Sequence, residues 1–587
     1  MSGLSLEPVG KVQRSEREDL RSGYLGRFVD ASPAGWDVVE RDGGWWVRLP
    51  NGQSVELGVG ASGPPWTGDL EPDPTSTRLW LNSLRFLPSL IDRAGPQAGV
   101  AVLSSFMAFL TNAAQRPESV ASGSLDHQIA LRLRTACDIV SMEHTALDDG
   151  HHWVSLRSLA CEMVRLDLNI VERLGLLRPN NHGIMLGIGI IHASDLFRWT
   201  SRDAWLNHTV QFLEQSFRSI FGEVGVANEN TPIYQSLYVG LLRQLVDYVE
   251  WTRSGDADTW AELLEPVELA YRKMLLPDGS CPPLGDGCRG GQSVYQPVAG
   301  LLAAPADGLF VWSNADIYLA AIAGQRGVFH KQMDDTSFYL NVAGHDLICD
   351  GGLGSYAKGD AIAQSVRSQR GHSGLFFEEF DGVDPTQVIS WGTGQRAIVG
   401  ALTVLPGTSL DRPGVQLMAS YAGTRTERRL GWLSERVLEI VDRARSSGDH
   451  RRAVRRFLTH PDATTTVVGR HVLVENRTSS LVLCLDPQDS VVRVFRGHAP
   501  EAGQTSEPLP KGFLAVRNYD VRPAALVEVP TWVGKSGEVE RRTLVTIADG
   551  DETGVCAECG PVITRTAKFR VGQDRPAAPR MPPIPGH

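Results

Sequence analysis

The chain has 587 residues, of which 42% are hydrophobic and 21% are charged, and its net charge is −11. This balance is typical of a folded protein with two or more domains, and the acidic charge argues against general nucleic-acid binding, which favours a basic surface. Charged side chains interrupt residues 1–20, where a secretory signal would be apolar, and no apolar run reaches the roughly 18–20 residues of a membrane span. We therefore expect a cytoplasmic protein with neither a membrane nor a nucleic acid as partner.

Three zones of different composition follow one another along the chain. Residues 1–72 are rich in Gly, Pro and Trp, with short strand-like pieces and prolines near their end. From about Thr75 to Leu276 apolar residues recur at helical spacing, for example at Leu237, Leu241 and Leu245. This zone predicts roughly eight or more helices in paired hairpins, which could form a bundle, a solenoid or a closed α/α toroid.

After Pro277 the pattern changes to short runs of β-branched and apolar residues. Thr336–Val342 and Leu347–Asp350 flank a predicted hairpin turn, and a second hairpin is predicted around Gly469-Arg470. These runs favour one large antiparallel β-sandwich. We expect four segments, which are an irregular or β segment at 1–72, a helical domain at 73–300, a β-sandwich domain at 301–575 and a Pro-rich tail at 576–587.

The cysteines do not indicate a disulfide framework, because there are only eight of them in a chain of this length. Cys556 and Cys559 form a CxxC sequence. A second such pair, which a four-ligand zinc site would need, does not follow nearby. We expect these two residues to be reduced thiols in a late turn.

Two polar clusters lie in the helical zone. Asn181 and His182 stand in the sequence NNHG ahead of an apolar helix. Asn at a helix start usually caps it, yet these side chains also offer donors for a carboxylate. In the sequence ENTPIY, Thr231 and Pro232 are typical of a helix cap and a first-turn proline. Tyr234 then falls in the first turn, where it either reaches a cavity mouth or packs in the core.

Two further clusters lie in the β zone. The titratable sequence HKQMDD at residues 330–335 precedes the first hairpin, and loops held by a rigid scaffold are where catalytic groups concentrate. The sequence RSQRGHS follows, and its Arg367 and Arg370 either contact carboxylate or sulfate groups or lie in a solvated loop.

Together, the sequences NNHG, ENTPIY, HKQMDDTSFYLNVAGHDLICDGGLGSY and RGHSG resemble, in that order, the heparinase II/III-like and alginate lyases. The resemblance covers roughly residues 75–500. It implies a multidomain α+β chain, in which an all-α (α/α) toroid is followed by a large antiparallel β-sandwich with the active cleft between them. It also implies β-elimination of uronic-acid glycosides in an acidic oligosaccharide or polysaccharide. In that reaction a base removes the C5 proton, the bond to the C4 oxygen breaks, and an unsaturated uronate remains.

The resemblance also implies roles for individual residues. Asn181 and His182 match the positions that neutralise the substrate carboxylate, and Tyr234 and His330 share the proton transfers. The implied substrate-binding residues are Glu229, Lys331, Tyr356, Arg367 and Arg370. Positions that hold zinc in some members are occupied here by Gln332, Asp350 and His372. Because Gln is a poor zinc ligand, either a structural zinc or a hydrogen-bonded cluster is expected there, and catalysis requires no cofactor.

Two other functions stay open on the sequence. A glycoside hydrolase on the same frame would need two carboxylates across a cleft, and the available carboxylates are Glu229, Asp286, Asp334 and Asp335. A non-catalytic glycan-binding or assembly protein would keep the frame without turnover. The sequence indicates no oligomeric state.

Overall fold

The structure is a computed structural model. It describes residues 7–8, 36–42, 44–50, 53–57, 66, 74–115, 125–142, 150–252, 257–291, 293–355, 360–407, 412–448, 451–498, 510–517, 520–535, 537–549, 555–556 and 560–561. Cys559 and the Pro-rich end, both subjects of the sequence predictions, lie outside these residues. Among the helices that are described, none is long and apolar enough to cross a membrane.

The first large part of the described chain is helical. Its helices are α1 (Pro74–Asn82), α2 (Leu87–Ala94), α3 (Pro96–Gln115), α4 (Leu125–Ser141), α5 (Gly150–Leu174), α6 (Asn181–Leu196), α7 (Arg202–Ile220), α8 (Pro232–Thr252) and α9 (Ala257–Met274). Alternate helices pack on one another, α3 on α5 in one layer and α4 on α6 in the other, and α6 also contacts α8. Consecutive helices join the two layers, as α6 with α7 and α8 with α9. These paired helices are the arrangement predicted for an α/α toroid.

Helix α6 is apolar around nearly its whole circumference. All residues from Gly183 to Ser194 are buried, because α4, α7 and α8 cover it on different sides. A helix that is hydrophobic all round belongs in the interior of a large domain, and this position explains its composition. The first residues of α6 are half-buried, so its N-terminus lies where the core meets solvent.

The second large part of the described chain consists mainly of strands. All the strands are, in chain order, β1 (Glu7–Pro8), β2 (Asp37–Arg41), β3 (Gly44–Arg48), β4 (Ser54–Glu56), β5 (Phe197–Arg198), β6 (Gly300–Ala304), β7 (Leu309–Ser313), β8 (Ile317–Ile322), β9 (Ser337–Val342), β10 (His345–Ile348), β11 (Leu375–Phe377), β12 (Ile389–Ser390), β13 (Gln395–Arg396), β14 (Val399–Leu405), β15 (Gly414–Tyr421), β16 (Thr424–Ser434), β17 (Val437–Ser446), β18 (Arg451–Leu458), β19 (Thr464–Val468), β20 (His471–Asn476), β21 (Ser479–Cys484), β22 (Arg493–Arg496), β23 (Phe513–Arg517), β24 (Asp520–Pro523), β25 (Ala525–Val533), β26 (Glu538–Asp549), β27 (Val555–Cys556) and β28 (Gly560–Pro561). A further helix, α10 (Ala361–Arg367), lies between β10 and β11. Short 3-10 helices span Pro305–Asp307, Gln369–Gly371, Glu378–Phe380 and Pro385–Val388.

Three large antiparallel sheets form most of the described β part, beside the two-stranded sheets β12-β13, β23-β24 and β27-β28. The strand orders of the large sheets are β10-β9-β8-β7-β6, β14-β15-β16-β17-β26-β21-β20-β19 and β11-β18-β25-β22. One face of the five-stranded sheet packs on the eight-stranded sheet, with Phe338 and Leu340 meeting Leu430 and Trp432 in one core. Two sheets that share a core in this way form the predicted sandwich.

The other face of the five-stranded sheet packs against the helical part. Tyr318 and Tyr339 on this face share a core with Ala270 and Met274 of α9, and the Tyr318 hydroxyl donates to the Met274 carbonyl at 2.7 Å. Because both faces are covered, every residue of β8 and β9 is buried, and neither strand alternates between buried and exposed positions. The order of the two parts and their antiparallel sheets confirm the predicted fold class. The predicted domain bounds stay predictions.

Polar contacts also join the two parts. Arg326, which follows β8, donates through Nη1 to the Ser219 carbonyl at 2.8 Å and through Nη2 to the Val226 carbonyl at 3.1 Å. Its Nε donates to Asp307 at 2.6 Å. One arginine of the β part therefore satisfies carbonyls at the end of α7 and in the loop between α7 and α8 (the α7–α8 loop).

Candidate active site

Four segments meet beside the contact between the helical and β parts. They are the N-terminus of α6, the α7–α8 loop with the first turn of α8, the loop at residues 285–287, and the loop at residues 327–335 before β9. Each carries one of the polar clusters singled out in the sequence or a direct partner of such a cluster.

The N-terminus of α6 is shaped by Asn180 and Gly183. The Asn180 side chain caps the helix by accepting from the Gly183 N–H at 2.9 Å. A Cβ at residue 183 would lie 1.9 Å from the Arg178 carbonyl oxygen, so only glycine fits this turn. Capping therefore falls to Asn180. The half-buried Asn181 and His182 are the first two residues of the helix.

His182 is held by residues of α4. Its Nδ1 lies 3.2 Å from Asp126 Oδ1, and its ring centroid lies 5.0 Å from that of His127. Burial raises the pKa of Asp126, but the hydrogen bond and charge of His182 outweigh it and hold that pKa below its ordinary value. Asp126 is thus an ionised partner that fixes the orientation of the imidazole.

Tyr234 and His330 are brought together from opposite parts of the chain. Their rings stack with centroids 3.8 Å apart and an interplanar angle of 23°. Pro232 begins α8, so Tyr234 falls in the first turn, as the sequence predicts. Both rings are half-buried and lie where the helical and β parts meet.

The backbone at this stack is in a conformation that residues with side chains rarely adopt. His330 has a φ of 56° and Asn230 a φ of 58°. Asn230 Nδ2 donates to the carbonyls of Gly327 at 2.9 Å and Phe329 at 2.8 Å, which ties the α7–α8 loop to the loop that carries His330. Left-handed backbone at non-glycine residues costs free energy and persists where surrounding contacts enforce it, often at functional sites.

Two carboxylates face the two ring nitrogens of His330. Asp286 Oδ2 lies 3.3 Å from Nδ1, and Glu229 Oε2 lies 3.5 Å from Nε2. Both carboxylates are buried, with side chains only 3% and 6% exposed. Each ring nitrogen of His330 therefore faces a buried carboxylate oxygen.

Asp286 is itself surrounded by donors. Its Oδ1 accepts from Gln332 Nε2 at 2.7 Å and lies 3.6 Å from Arg367 Nε. Burial raises the pKa of Asp286, but the hydrogen bond from His330 and the charge of Arg367 outweigh it and hold that pKa below its ordinary value.

Glu229 connects this cluster to the start of α6. Its Oε1 accepts from the Tyr238 hydroxyl at 2.7 Å, and the Asn181 backbone hydrogen-bonds the same hydroxyl. Burial and then the Glu229 charge raise the pKa of Tyr238, so this phenol stays protonated. Asn181, Glu229 and His330 are therefore joined through hydrogen-bonding and charged contacts in a single network.

Some predicted substrate-binding residues are placed elsewhere. Lys331 is fully buried, with its Nζ 2.5 Å from Asp334 Oδ1 and 3.6 Å from Asp335 Oδ1. Arg370 is buried beside Asp381, with 3.2 Å between Nε and Oδ2.

These two cations are committed to internal ion pairs, and Glu229 is buried with its Oε2 3.5 Å from His330 Nε2. The contact of these three residues with substrate stays a prediction. Arg367 keeps 17% of its side chain exposed beside Asp286, and Tyr356 lies outside the described residues.

The three residues at the predicted zinc positions, Gln332, Asp350 and His372, are all buried. His372 Nδ1 bonds Asp350 Oδ2 at 2.9 Å, and the same oxygen accepts from Ser337 Oγ at 2.9 Å. Gln332 uses its amide nitrogen as a donor to Asp286 and to the Gly352 carbonyl at 3.1 Å. No three His, Cys, Asp or Glu side chains in the described part of the chain are grouped to hold a metal. Among the described residues, Gln332 Oε1, Asp350 Oδ1 and His372 Nε2 are buried without a hydrogen-bond partner, so the choice between a structural zinc and a hydrogen-bonded cluster stays a prediction, and no step below is routed through a metal.

Three members of the site were not assigned to it from the sequence. Asp126 and Tyr238 lie on helix faces and carry no local signal of a partner. Asp286 was considered only as a carboxylate for hydrolysis, although it stands between two glycines in the sequence GDG, a turn signal that marks a possible functional loop. Their roles depend on contacts with residues 44 or more positions away, or on a neighbouring helix.

The helical layers followed by antiparallel sheets define a class of fold shared with solved polysaccharide lyases. A heparinase III structure is similar with a TM-score of 0.64 and 10% identity, covering 92% of this chain and 86% of that one. Heparan sulfate lyase HepC from Pedobacter heparinus is similar with a TM-score of 0.56 and 12% identity, covering 93% of this chain and 84% of that one. At such identities the likeness shows the fold alone.

The family model described as heparinase II/III-like, C-terminal matches residues 296–517. The chain therefore carries the C-terminal region of the heparinase II/III-like family, which confirms the resemblance predicted from its motifs. A comparison with curated protein sequences finds no match.

Proposed function

We propose that the protein is a polysaccharide lyase that cleaves uronic-acid glycosides by β-elimination. The observation that carries the proposal is the stack of Tyr234 on His330, joined through Glu229 and Tyr238 to the helix start that bears Asn181 and His182. These are the polar groups that an elimination next to a carboxylate requires, and they come together from both parts of the fold.

The first requirement is to neutralise the substrate carboxylate, because a charged carboxylate makes the C5 proton very weakly acidic. The amide of Asn181 and the ring of His182 are half-buried at the N-terminus of α6, where the helix dipole favours an anion. Asp126 hydrogen-bonds His182 Nδ1, so Nε2 is the ring nitrogen that would face the substrate. Arg367 adds a partly exposed positive charge nearby.

The second requirement is a group that moves the proton. A carboxylate oxygen lies within 3.5 Å of each ring nitrogen of His330, which argues against this ring as the base. We therefore assign the base to Tyr234 and a supporting role to His330, because an imidazolium stacked on the phenol ring would favour the phenolate. The phenolate takes the C5 proton, the C4–O bond breaks with its electron pair on the leaving oxygen, and the phenol returns the proton to that oxygen.

The substrate would be an acidic oligosaccharide or polysaccharide. A cytoplasmic protein would meet short imported chains rather than intact polymers, and that location is part of the proposal. The alternative of a glycoside hydrolase finds less support, because Glu229 and Asp286 are buried on either side of His330 rather than exposed across a cleft.

The test is the absorbance of the unsaturated uronate when the protein meets a panel of uronate oligosaccharides. Tyr234→Phe should lower kcat by about 10²–10⁴-fold, because it removes the proton-transfer hydroxyl. Tyr295→Phe is the matched control, since its hydroxyl bonds Glu268 away from this cluster and its loss should leave kcat unchanged. New reducing ends without absorbance would instead identify hydrolysis.

His330→Gln separates the two assignments of the base. If Tyr234 is the base, the variant keeps activity that moves to higher pH, because the phenolate loses the neighbouring positive charge. Loss of turnover at every pH, with oligosaccharide binding intact, would assign the base to His330.

A further inference from the structure

Two aromatic rings are exposed to solvent beside the candidate active site. Phe329 is 50% exposed and Trp391 is 55% exposed, and their ring centroids lie 6.1 Å apart at an interplanar angle of 44°. Large apolar side chains that share an exposed surface leave hydrophobic area in water, and such patches commonly mark a binding site.

Phe329 is attached directly to the catalytic cluster. It precedes His330 in the chain, and its carbonyl accepts from Asn230 Nδ2 at 2.8 Å. The backbone bearing this ring is therefore held by the same contact that holds the His330 loop against the helical part.

Trp391 is attached to the same loop from the other side. It begins the turn of the hairpin formed by β12 and β13, whose register pairs Ile389 with Arg396. Arg396 Nη2 donates to the Gln332 carbonyl at 2.7 Å, and its Nη1 lies 2.5 Å from Asp335 Oδ2. The base of the hairpin is thus fixed two residues along the chain from His330.

We propose that Phe329 and Trp391 form a subsite that stacks on the pyranose ring next to the uronate undergoing elimination. This inference rests on the proposed function. The C–H face of a pyranose is apolar, and an aromatic ring offers it a matching flat surface. Lys331 and Arg396, the cations of this loop and hairpin, are paired with Asp334 and Asp335. The subsite is therefore suited to an uncharged N-acetylhexosamine rather than to a second uronate.

The experiment measures binding separately from turnover. The probe is a hexasaccharide of alternating hexuronate and N-acetylhexosamine, titrated calorimetrically into full-length protein carrying Tyr234→Phe so that turnover is suppressed during the titration. Adding Trp391→Ala should raise Kd by roughly 5- to 30-fold, the loss expected for one good aromatic stack. Trp391→Phe should keep most of the affinity. Trp532→Ala is the control, because Trp532 is 67% exposed on β25 and should leave Kd unchanged.

Turnover in the otherwise unaltered protein distinguishes failure of the subsite from failure of the elimination chemistry. Trp391→Ala should raise KM and leave kcat nearly unchanged, since the ring contacts a sugar that does not react. An unchanged Kd in Trp391→Ala overturns the subsite even if unsaturated product forms. A raised Kd with no product from any form supports the subsite while overturning the elimination. Absence of hexasaccharide binding to every form overturns the assigned sugar.

Discussion

Gly285, in the loop at residues 285–287, packs tightly against the backbone of two other segments of the candidate active site. Its φ is 58°, and a Cβ at this position would lie 2.3 Å from the Asn230 carbonyl oxygen and 3.2 Å from that of His330. Gly285→Ala therefore combines two costs. A left-handed alanine costs about 1–2 kcal/mol, and overpacking against the Asn230 backbone adds about 1–3 kcal/mol.

Gly279 provides a matched control in the preceding turn. Its φ is 79°, and no atom lies within 4 Å of the position that a Cβ would take. Gly279→Ala should therefore lose only the backbone cost, about 1–2 kcal/mol. The difference between the two variants isolates the steric contact with Asn230.

The assay is the midpoint of urea unfolding for both variants, followed by turnover of a uronate oligosaccharide. Gly285→Ala should have the lower midpoint and, because the displaced backbone carries Asn230 and His330, a lower kcat/KM as well. Gly279→Ala should retain turnover. Equal midpoints for the two variants would refute the reasoning, since they would mean that the contact at residue 285 relaxes without cost.

Two further predictions concern the helical part. Arg132 and Asp167 form a buried bidentate pair with contacts of 2.9 and 2.6 Å, so Asp167→Ala should cost about 3–5 kcal/mol in unfolding free energy by leaving a buried guanidinium unpaired. Replacing both residues with apolar ones should recover much of that loss, and a double variant as unstable as the single one would contradict this account. Burial, and then the His182 charge, lower the pKa of His127 from 6.5 to about 4. The unfolded chain then binds this proton first, so stability is complete above pH 6.5 and falls by about 3 kcal/mol as the pH drops to about 4. His127→Gln should flatten this dependence in urea midpoints measured from pH 7 to pH 4, and an unchanged slope would contradict it.

Local chemistry made much of the fold predictable. Pro232 begins α8 and Asn180 caps α6, as proline and asparagine at those positions predict. Both predicted hairpins are confirmed, one between β9 and β10 with Ala343 and Gly344 at its turn, and the other between β19 and β20 around Gly469. In each case the determining interactions lie within a few residues of one another.

The candidate site was predictable only in part, because its remaining contacts join distant segments. Whether the charge of Lys331 faces a ligand or Asp334 depends on how its loop folds against the sandwich, which no local pattern specifies. Gln235, which follows Tyr234, is buried and donates to the carbonyls of Gly225 at 2.9 Å and Val267 at 3.2 Å, contacts that its own sequence does not indicate. The partnership of Asp286 with His330 likewise spans 44 positions.

The contacts of Arg326 and Asn230 constrain how such a chain can be recombined. The guanidinium belongs to the strand-rich part and its carbonyl partners to the helical part, whereas the Asn230 amide reaches in the opposite direction. A chimera that takes its helices from one relative and its sandwich from another must inherit both sides of this reciprocal attachment. Otherwise it leaves these carbonyls without their donors and releases the loop that carries His330. Chimeras with crossover points inside these loops would therefore fold but lose activity. Chimeras that exchange the interlocked segments together would keep both the fold and the activity.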